Sequence, residues 1–181
     1  MKANFNSVPF TANLLIDNRA QLESVDSVTD SLKGNFMAMT PDEKNTLIMS
    51  TLKNSDKDRF ELYNEQGEKL AKYEAPLSKF IGASNIKAIS ERLANIYEVA
   101  KIRASYTAII GNLREAKEKY LGEIRKISEN PSLSKEQKSD AIGRSRAIVN
   151  FIDKDIKYQL RAQEIDCDSY ELSHGMKRVL N

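Results

Sequence analysis

The chain holds one cysteine and one histidine, and these residue types are the best suited to nucleophilic chemistry. Cys167 and His174 lie seven positions apart, so a helix would place both on one face, as a nucleophile and its general base require. Seven residues span about 10 Å along a helix, which is too far for direct proton transfer. Asp166 and Asp168 flank the cysteine, and carboxylates disfavour the thiolate that a nucleophile needs. We therefore predict no catalytic residues and keep an enzyme acting through this pair as an alternative.

The sequence also lacks the motifs that bind metals and nucleotides. It contains no HExxH, CxxC or EF-hand spacing, and the acids beside Cys167 make a thin ligand set with His174. It contains no GxxxxGK[ST] or GxGxxG pattern of the kind that cradles phosphates. Acidic and basic residues stand four apart, as in Glu115 and Lys119, which is typical of an exposed helix surface. The sequence thus predicts a non-enzymatic protein without a metal site or a cofactor.

Basic residues are concentrated towards the C-terminus. The formal net charge is +2, and residues 101–181 hold 16 Lys and Arg against 12 Asp and Glu. The basic residues that could line two helices are Arg114, Lys117, Arg125, Lys135, Lys138, Arg144, Arg146, Lys154, Lys157 and Arg161. Acidic residues interrupt them and no base-stacking motif accompanies them, so the pattern argues against nucleic acid as a partner. A weak nucleic-acid-binding accessory protein remains an alternative.

The N-terminal region bears on where the protein is made. Its longest apolar run, Leu14–Ile16, is too short for a signal-peptide core, and nothing in the sequence approaches the about 20 apolar residues of a membrane span. A single cysteine is consistent with a reducing compartment. We expect synthesis in the cytosol without a cleavable signal peptide and no membrane span. Virion association and export by a non-Sec route both fit that expectation.

Two helices are predicted before the middle of the chain. The first takes its apolar spacing from Leu14 onwards and ends at Gly34, which would occupy the position after the last helical turn. The second begins at a capping box formed by Thr40 and Glu43, and it runs to about Asn54.

A short β-hairpin is predicted over residues 59–73. Its strands carry the apolar residues Phe60, Leu62, Leu70 and Tyr73. Gly67 supplies the positive φ that the polar turn between them needs. Because a lone two-stranded hairpin is marginal in water, we expect it to pack against helices.

The C-terminal half predicts a long antiparallel helical hairpin over residues 84–165. No proline interrupts residues 84–129, so one helix of about 45 residues is expected, unless a kink at Gly111 divides it. Pro131 lies in the turn that ends this helix, and a second capping box, Ser134 with Gln137, starts the next. The second helix carries a stripe of Ile142, Val149, Ile152, Ile156 and Leu160, with Ile148 and Phe151 beside it.

The positions of apolar and small residues predict the register of this hairpin. Pairing Leu113 with Ile152 and Ile109 with Ile156 aligns apolar side chains along a common seam. The same register places Gly122 opposite Gly143, where we expect the two backbones to approach closely.

The first long helix begins with an apolar stripe that the second helix is too short to cover. Its residues are Ile86, Ile89, Leu93 and Ile96. Either the N-terminal elements bury this stripe within the chain, or it is a docking face for a protein partner or a second copy.

Residues 117–160 resemble the helix–turn–helix hairpins of phage-encoded virion and polyvalent proteins. The match is carried by Ile124, Ile127, Pro131, Leu133, Ser134, Glu136, Gln137, Lys138 and Ile142. This resemblance implies an assembly or structural role without catalytic residues. The Asn- and Ser-containing start NFNSVPFTAN is similar to the uncleaved signals of bacterial effectors injected by needle-type secretion systems. An effector that binds a host protein is therefore the alternative.

These elements predict a mainly α fold with a small β-hairpin, in which a long antiparallel helical hairpin packs against N-terminal helices. The expected division is residues 1–83, the hairpin at 84–165, and a tail at 166–181. The predicted function is protein–protein interaction or assembly through a coiled-coil-like hairpin.

Overall fold

Both long helices form where apolar residues recur at three- and four-residue steps without proline. A computed structural model describes residues 12–17, 26–40, 44–52, 57–76 and 86–176. Its helices are α1 (Asp26–Met39), α2 (Ile86–Glu129) and α3 (Lys135–Ser173), and its strands are β1 (Asn13–Ile16), β2 (Thr46–Thr51), β3 (Asp58–Tyr63) and β4 (Lys69–Ala75). The predicted fold class is confirmed, since the chain is mainly helical with a small sheet and the two long helices pack against each other.

The sheet has four strands in the order β1-β2-β3-β4. β1 runs parallel to β2 and α1 connects them, whereas β2, β3 and β4 form an antiparallel meander. The predicted hairpin is present as β3 and β4, with Phe60 opposite Tyr73. Gly67 has a φ of 78°, and the Asn64 side chain closes the turn by accepting a hydrogen bond from the Glu68 backbone N–H at 2.8 Å.

The prediction of two N-terminal helices is wrong for the residues that form β1 and β2. Leu14 and Ile16 are buried while Leu15 is exposed, and Leu47 and Met49 are fully buried on the next strand. This alternation has the period of a strand, and short apolar runs fit either period until a partner strand is present. The hydrogen-bonded neighbours of the sheet therefore decide the conformation.

The predicted end of the first helix is also wrong, because α1 continues past Gly34 to Met39. Phe36 is fully buried and its ring meets the Tyr97 ring edge-on at 5.7 Å. Such burial outweighs the roughly 1 kcal/mol that glycine costs inside a helix. Thr40 follows α1 rather than starting a helix, and its hydroxyl donates to the Phe36 carbonyl at 2.9 Å. The rest of the predicted capping box, residues 41–43, lies outside the described residues.

The described residues divide into two compact units. One contains those up to Ala104 and from Cys167 onwards, and the other is Ser105–Asp166. We call them the sheet unit and the hairpin unit. Their boundaries differ from the three-part division expected from the sequence, because each long helix passes from one unit to the other. α2 is a single helix that runs unbroken through Gly111.

The core of the sheet unit lies between the sheet and the helices. It combines inward side chains of all four strands with Leu32 and Phe36 of α1 and with the first part of α2. Ile89 is 4% exposed, while Leu93 and Ile96 are fully buried. The stripe is therefore covered from within the chain, which is the first of the two outcomes that the sequence left open. The expectation that the second helix is too short to reach it is wrong, because α3 continues to Ser173 and Cys167 belongs to the same core.

In the hairpin unit, the turn between the long helices has the predicted cap. The Ser134 backbone N–H donates to Gln137 Oε1 at 2.9 Å, and the Gln137 N–H donates to Ser134 Oγ at 3.2 Å. The Asn130 side chain adds a bond by accepting from the Ser132 N–H at 2.9 Å. This reciprocal arrangement satisfies backbone donors that the start of a helix otherwise leaves without partners.

The seam of the hairpin unit follows the prediction on α3 but not throughout α2. Val149 and Ile152 are buried as expected. On α2, however, Ile110 is buried at 4% and Ile109 is 43% exposed, so the buried residue at this level is Ile110 and not the predicted Ile109.

The predicted close approach of the backbones at Gly122 and Gly143 is likewise wrong. A Cβ atom built on either glycine would meet nothing within 4 Å, apart from its own helix backbone and chain neighbours. Neither glycine is therefore required by packing. The prediction failed because complementary sizes in a sequence do not fix the distance between two helices.

The tail expected after residue 165 is helical as far as Ser173, because α3 continues into the sheet unit's part of the chain. Gly175 has a φ of 62°. The Met176 N–H donates to the Glu171 carbonyl at 2.7 Å, and the Gly175 N–H donates to the Leu172 carbonyl at 3.2 Å. This pair of bonds is the Schellman motif, which ends helices at a left-handed glycine.

Candidate interaction surface

An apolar stripe is exposed on α3 within the hairpin unit. Phe151 is 71% exposed, Tyr158 68%, Ile165 55% and Ile148 39%. Phe151, Tyr158 and Ile165 are spaced seven residues apart, which falls only about 20° short of two full helical turns. These three residues therefore form a nearly straight line along α3. Together with Ile148 we call them the α3 stripe.

Phe151, Tyr158 and Ile165 lie on the side of α3 that faces away from α2, and Ile148 lies between that side and the seam. Val149 and Ile152, which face the seam, are buried at 9% and 7%. At about 100° per residue, Phe151 and Tyr158 lie more than 90° around the helix from both. Because Val149 and Ile152 already fill the seam, the exposed side chains of Phe151 and Tyr158 are not needed for packing between the two helices.

One edge of the α3 stripe is basic. Lys154, Lys157 and Arg161 are exposed and follow the stripe at three- and four-residue steps, and we call them the basic edge. Within the described residues, none of the three takes part in an ion pair. On the other edge stand Ala162 and Asp155, whose carboxylate accepts a hydrogen bond from Gln159 at 3.2 Å. The surface is thus an apolar line with positive charge along one side from Lys154 to Arg161, beyond which the same side carries the exposed acids Glu164 and Asp168.

Other basic residues of the hairpin unit are engaged within the unit. Lys117 donates to the Asp153 carboxylate at 2.7 Å, which joins α2 to α3. Lys138 donates to the Ser128 carbonyl at 2.9 Å across the turn. Two of the ten residues considered for a nucleic-acid-binding stripe are therefore committed to the hairpin itself.

Cys167 and His174 have separate environments in the sheet unit. The thiol of Cys167 is 1% exposed and belongs to the apolar core. His174 is exposed, its ring stacks on Tyr170 at 4.1 Å, and its Nδ1 lies 2.9 Å from the Tyr170 carbonyl oxygen, to which it donates. A buried thiol and an imidazole held by its own helix end do not make a nucleophile with a base.

A polar cluster lies inside the sheet unit, and no pattern in the sequence indicates it. The Tyr73 hydroxyl donates to the carboxylate of Glu171, which is 4% exposed. The Arg103 guanidinium lies over the Tyr73 ring at 5.1 Å from its centroid, and Arg92 donates to the Met176 carbonyl at 2.9 Å. Burial first, and then the bond to Glu171, raises the pKa of Tyr73 well above its usual value. The contacts join residues 98 positions apart, a separation at which sequence spacing carries no information.

An open pocket of about 290 Å³ adjoins this cluster and is lined by Lys72, Tyr73, Glu74 and Arg103. Within this lining, Lys72 pairs with Glu74 at 2.9 Å. Hydrogen bonding to Lys72 lowers the pKa of Glu74.

The described residues contain no group of three or more His, Cys, Asp or Glu side chains placed to hold a metal ion. No helix among them is long and apolar enough to cross a membrane.

The sequence contained the signal for the α3 stripe without revealing its orientation. Ile148 and Phe151 stand beside the apolar residues predicted to form the seam. Tyr158 and Ile165 follow Phe151 at seven-residue steps in the sequence. Which face of α3 meets α2 depends on the partner helix, so the exposed face emerges only from the structure.

No protein-family model, no curated protein sequence and no solved structure matches this chain.

Proposed function

We propose that this chain is a non-enzymatic, helical protein-interaction protein that binds a partner chain through the α3 stripe. The observation that carries the proposal is the line of exposed apolar side chains at seven-residue spacing, opposite the seam. Apolar side chains in a row are costly to hydrate, and burying a large one against a partner contributes about 1.5–3 kcal/mol. Aromatic residues such as Phe151 and Tyr158 are also common among the residues that dominate binding energy.

The resemblance of residues 117–160 to hairpins of phage virion and polyvalent proteins supports the same class of function, because it implies an assembly role. The proposal concerns the mode of binding. A virion component and a translocated effector that binds a host protein could both use this mode. The stripe predicted at Ile86–Ile96 has no part in the proposal, since three of its four residues are buried in the core.

Site-specific photo-cross-linking in cells that express the protein tests this proposal. The cross-linking amino acid p-benzoylphenylalanine replaces Phe151 or Tyr158 in the stripe, and Glu118 of α2, which is exposed, serves as the matched control. We expect a discrete adduct from both stripe positions and none from the control. With the cross-linker at position 151, Tyr158→Asp should reduce the adduct about tenfold or more, because it places a charge in the apolar contact. Equal adducts from the control position, or none from the stripe, would contradict the proposal.

The stability of two neighbouring variants checks that the stripe is a surface feature. Ile152→Ala should lower the free energy of unfolding by about 2–4 kcal/mol, because Ile152 fills the seam. Phe151→Ala should change it by no more than about 0.5 kcal/mol, because Phe151 is exposed. Urea unfolding followed by circular dichroism measures both. If Phe151→Ala destabilises the chain as much as Ile152→Ala does, the stripe is part of the fold and not a binding surface.

A further inference from the structure

The spacing of the α3 stripe selects a helix as its occupant. Side chains seven residues apart leave gaps that match the side chains of a second helix with the same repeat. The stripe is also narrow, with charged residues directly at its edge, as in a coiled-coil seam. A lipid surface instead favours a broad apolar face that sinks into the headgroup region.

The charges beside the stripe indicate the chemistry of that helix. Lys154, Lys157 and Arg161 are exposed along one edge and have no ion-pair partner among the described residues. In pairs of helices, the residues that flank the apolar seam set partner choice through opposite charges. A partner whose flanking residues are Glu or Asp would place carboxylates against all three cations.

A second copy of this chain does not supply a carboxylate to each of the three cations. In an antiparallel pair with a two-fold axis near Tyr158, equivalent edges face each other, so Lys154 of each copy approaches Arg161 of the other. With the axis near Arg161, Glu164 and Asp168 of one copy approach Lys157 and Lys154 of the other, but the two Arg161 side chains meet. In a parallel pair, the basic edge faces the edge that carries Asp155 and Asp166, which already accept hydrogen bonds from Gln159 and Tyr106. None of these arrangements neutralises the whole basic edge.

We infer that the α3 stripe binds an amphipathic helix of a different protein, with an apolar seven-residue repeat flanked by acidic residues. This inference rests on the proposed function and adds the chemistry of the partner. The apolar line supplies the contact area, and the basic edge selects the acidic partner and fixes its orientation.

A pair of synthetic peptides tests the inference with the full-length protein. Both are four-heptad helices with Leu and Ile in the seam, and they differ only in carrying Glu or Lys at the flanking positions. In fluorescence anisotropy at about 0.1 M salt, the Glu peptide should bind at least about tenfold more tightly than the Lys peptide. This ratio should shrink at about 1 M salt, where exposed charges are screened.

Charge reversal on the protein provides the matched control. The variant K154E/K157E/R161E should reverse the preference, so that the Lys peptide binds more tightly. The variant K119E/R125E/K126E makes the same change in net charge at exposed positions of α2 and should keep the preference for Glu. Circular dichroism establishes that both variants retain the helical content of the native chain.

The other outcomes overturn the inference in distinguishable ways. Equal binding of the two peptides removes the acidic partner but leaves a helix-docking stripe, and hence the proposed function, in place. If neither peptide binds while light scattering shows a dimer that Phe151→Ser abolishes, the occupant is a second copy. If phosphatidylcholine–phosphatidylserine vesicles or duplex DNA bind through the basic edge and the peptides do not, a membrane or nucleic acid is the partner.

Discussion

Tyr73 and Glu171 illustrate how a polar contact is accommodated inside a small apolar core. Both residues are buried, at 9% and 4% exposure, and the phenol hydroxyl donates to the carboxylate. The Arg103 guanidinium over the Tyr73 ring adds a favourable charge–quadrupole contact. A buried carboxylate is tolerated when donors surround it, so this cluster fixes β4 against the end of α3 within the sheet unit.

Titration of Tyr73 should make stability depend on alkaline pH. Its folded pKa is raised by burial and by Glu171, whereas in the unfolded chain it ionises near the ordinary value of 10.0. The contribution of the protonated Tyr73 to the free energy of unfolding is therefore complete below about pH 10. It is lost as the pH rises further, because the unfolded state releases the phenol proton more readily than the folded state does. Urea unfolding at several pH values between about 8 and 11 should show this fall in the free energy of unfolding.

Tyr73→Phe should flatten that alkaline dependence and cost about 1–3 kcal/mol at neutral pH, because Glu171 loses a buried donor. Tyr158→Phe, which removes a phenol from an exposed position, is the matched control and should leave the profile as in the native chain. A Tyr73→Phe profile parallel to the native one would show that the contact contributes nothing at high pH.

At the scale of elements, the parts that could be predicted are those whose signals are local. The turn at Gly67 and the capping box at Ser134 involve residues within a few positions of each other, and both were predicted correctly. β1 and β2 were not, because Asn13 finds its partner Thr46 far along the chain and a three-residue apolar run such as Leu14–Ile16 has no period of its own. The α3 stripe was partly predictable for the same reason, since its spacing is local while its exposure depends on α2.

The glycines of the long helices offer a direct test of element stability. Gly122→Ala and Gly143→Ala should each raise the free energy of unfolding by about 0.5–1 kcal/mol, because both lie inside helices with room for a Cβ. Gly67→Ala should act in the opposite direction, since its φ of 78° is strained for a residue with a side chain. Urea midpoints of the three variants decide the matter, and destabilisation by Gly122→Ala or Gly143→Ala would restore the close approach expected from the sequence.

At the scale of the whole molecule, the single cysteine reports on opening of the core. Cys167 is 1% exposed within the sheet unit, so a thiol reagent such as DTNB reaches it through local or global opening. We expect the native thiol to react on the order of 100-fold more slowly than the thiol in urea. Leu93→Ala, which removes a fully buried side chain worth about 2–5 kcal/mol, should speed the native reaction.

Phe151→Ala is the control for this measurement, because it trims an exposed side chain and should leave the rate unchanged. A native thiol that reacts as fast as the unfolded one would mean that the core around α2 and α3 opens freely.

The bond from Tyr106 to Asp166 joins the first and last turns of the hairpin unit. Because the two ends of this segment lie side by side, equal lengths could be added to or removed from α2 and α3 while the bond between Tyr106 and Asp166 stays in place. Seven-residue steps would also preserve which face of α3 points outwards. The length of the hairpin unit is therefore a dimension that evolution or an engineer can adjust without redesigning the sheet.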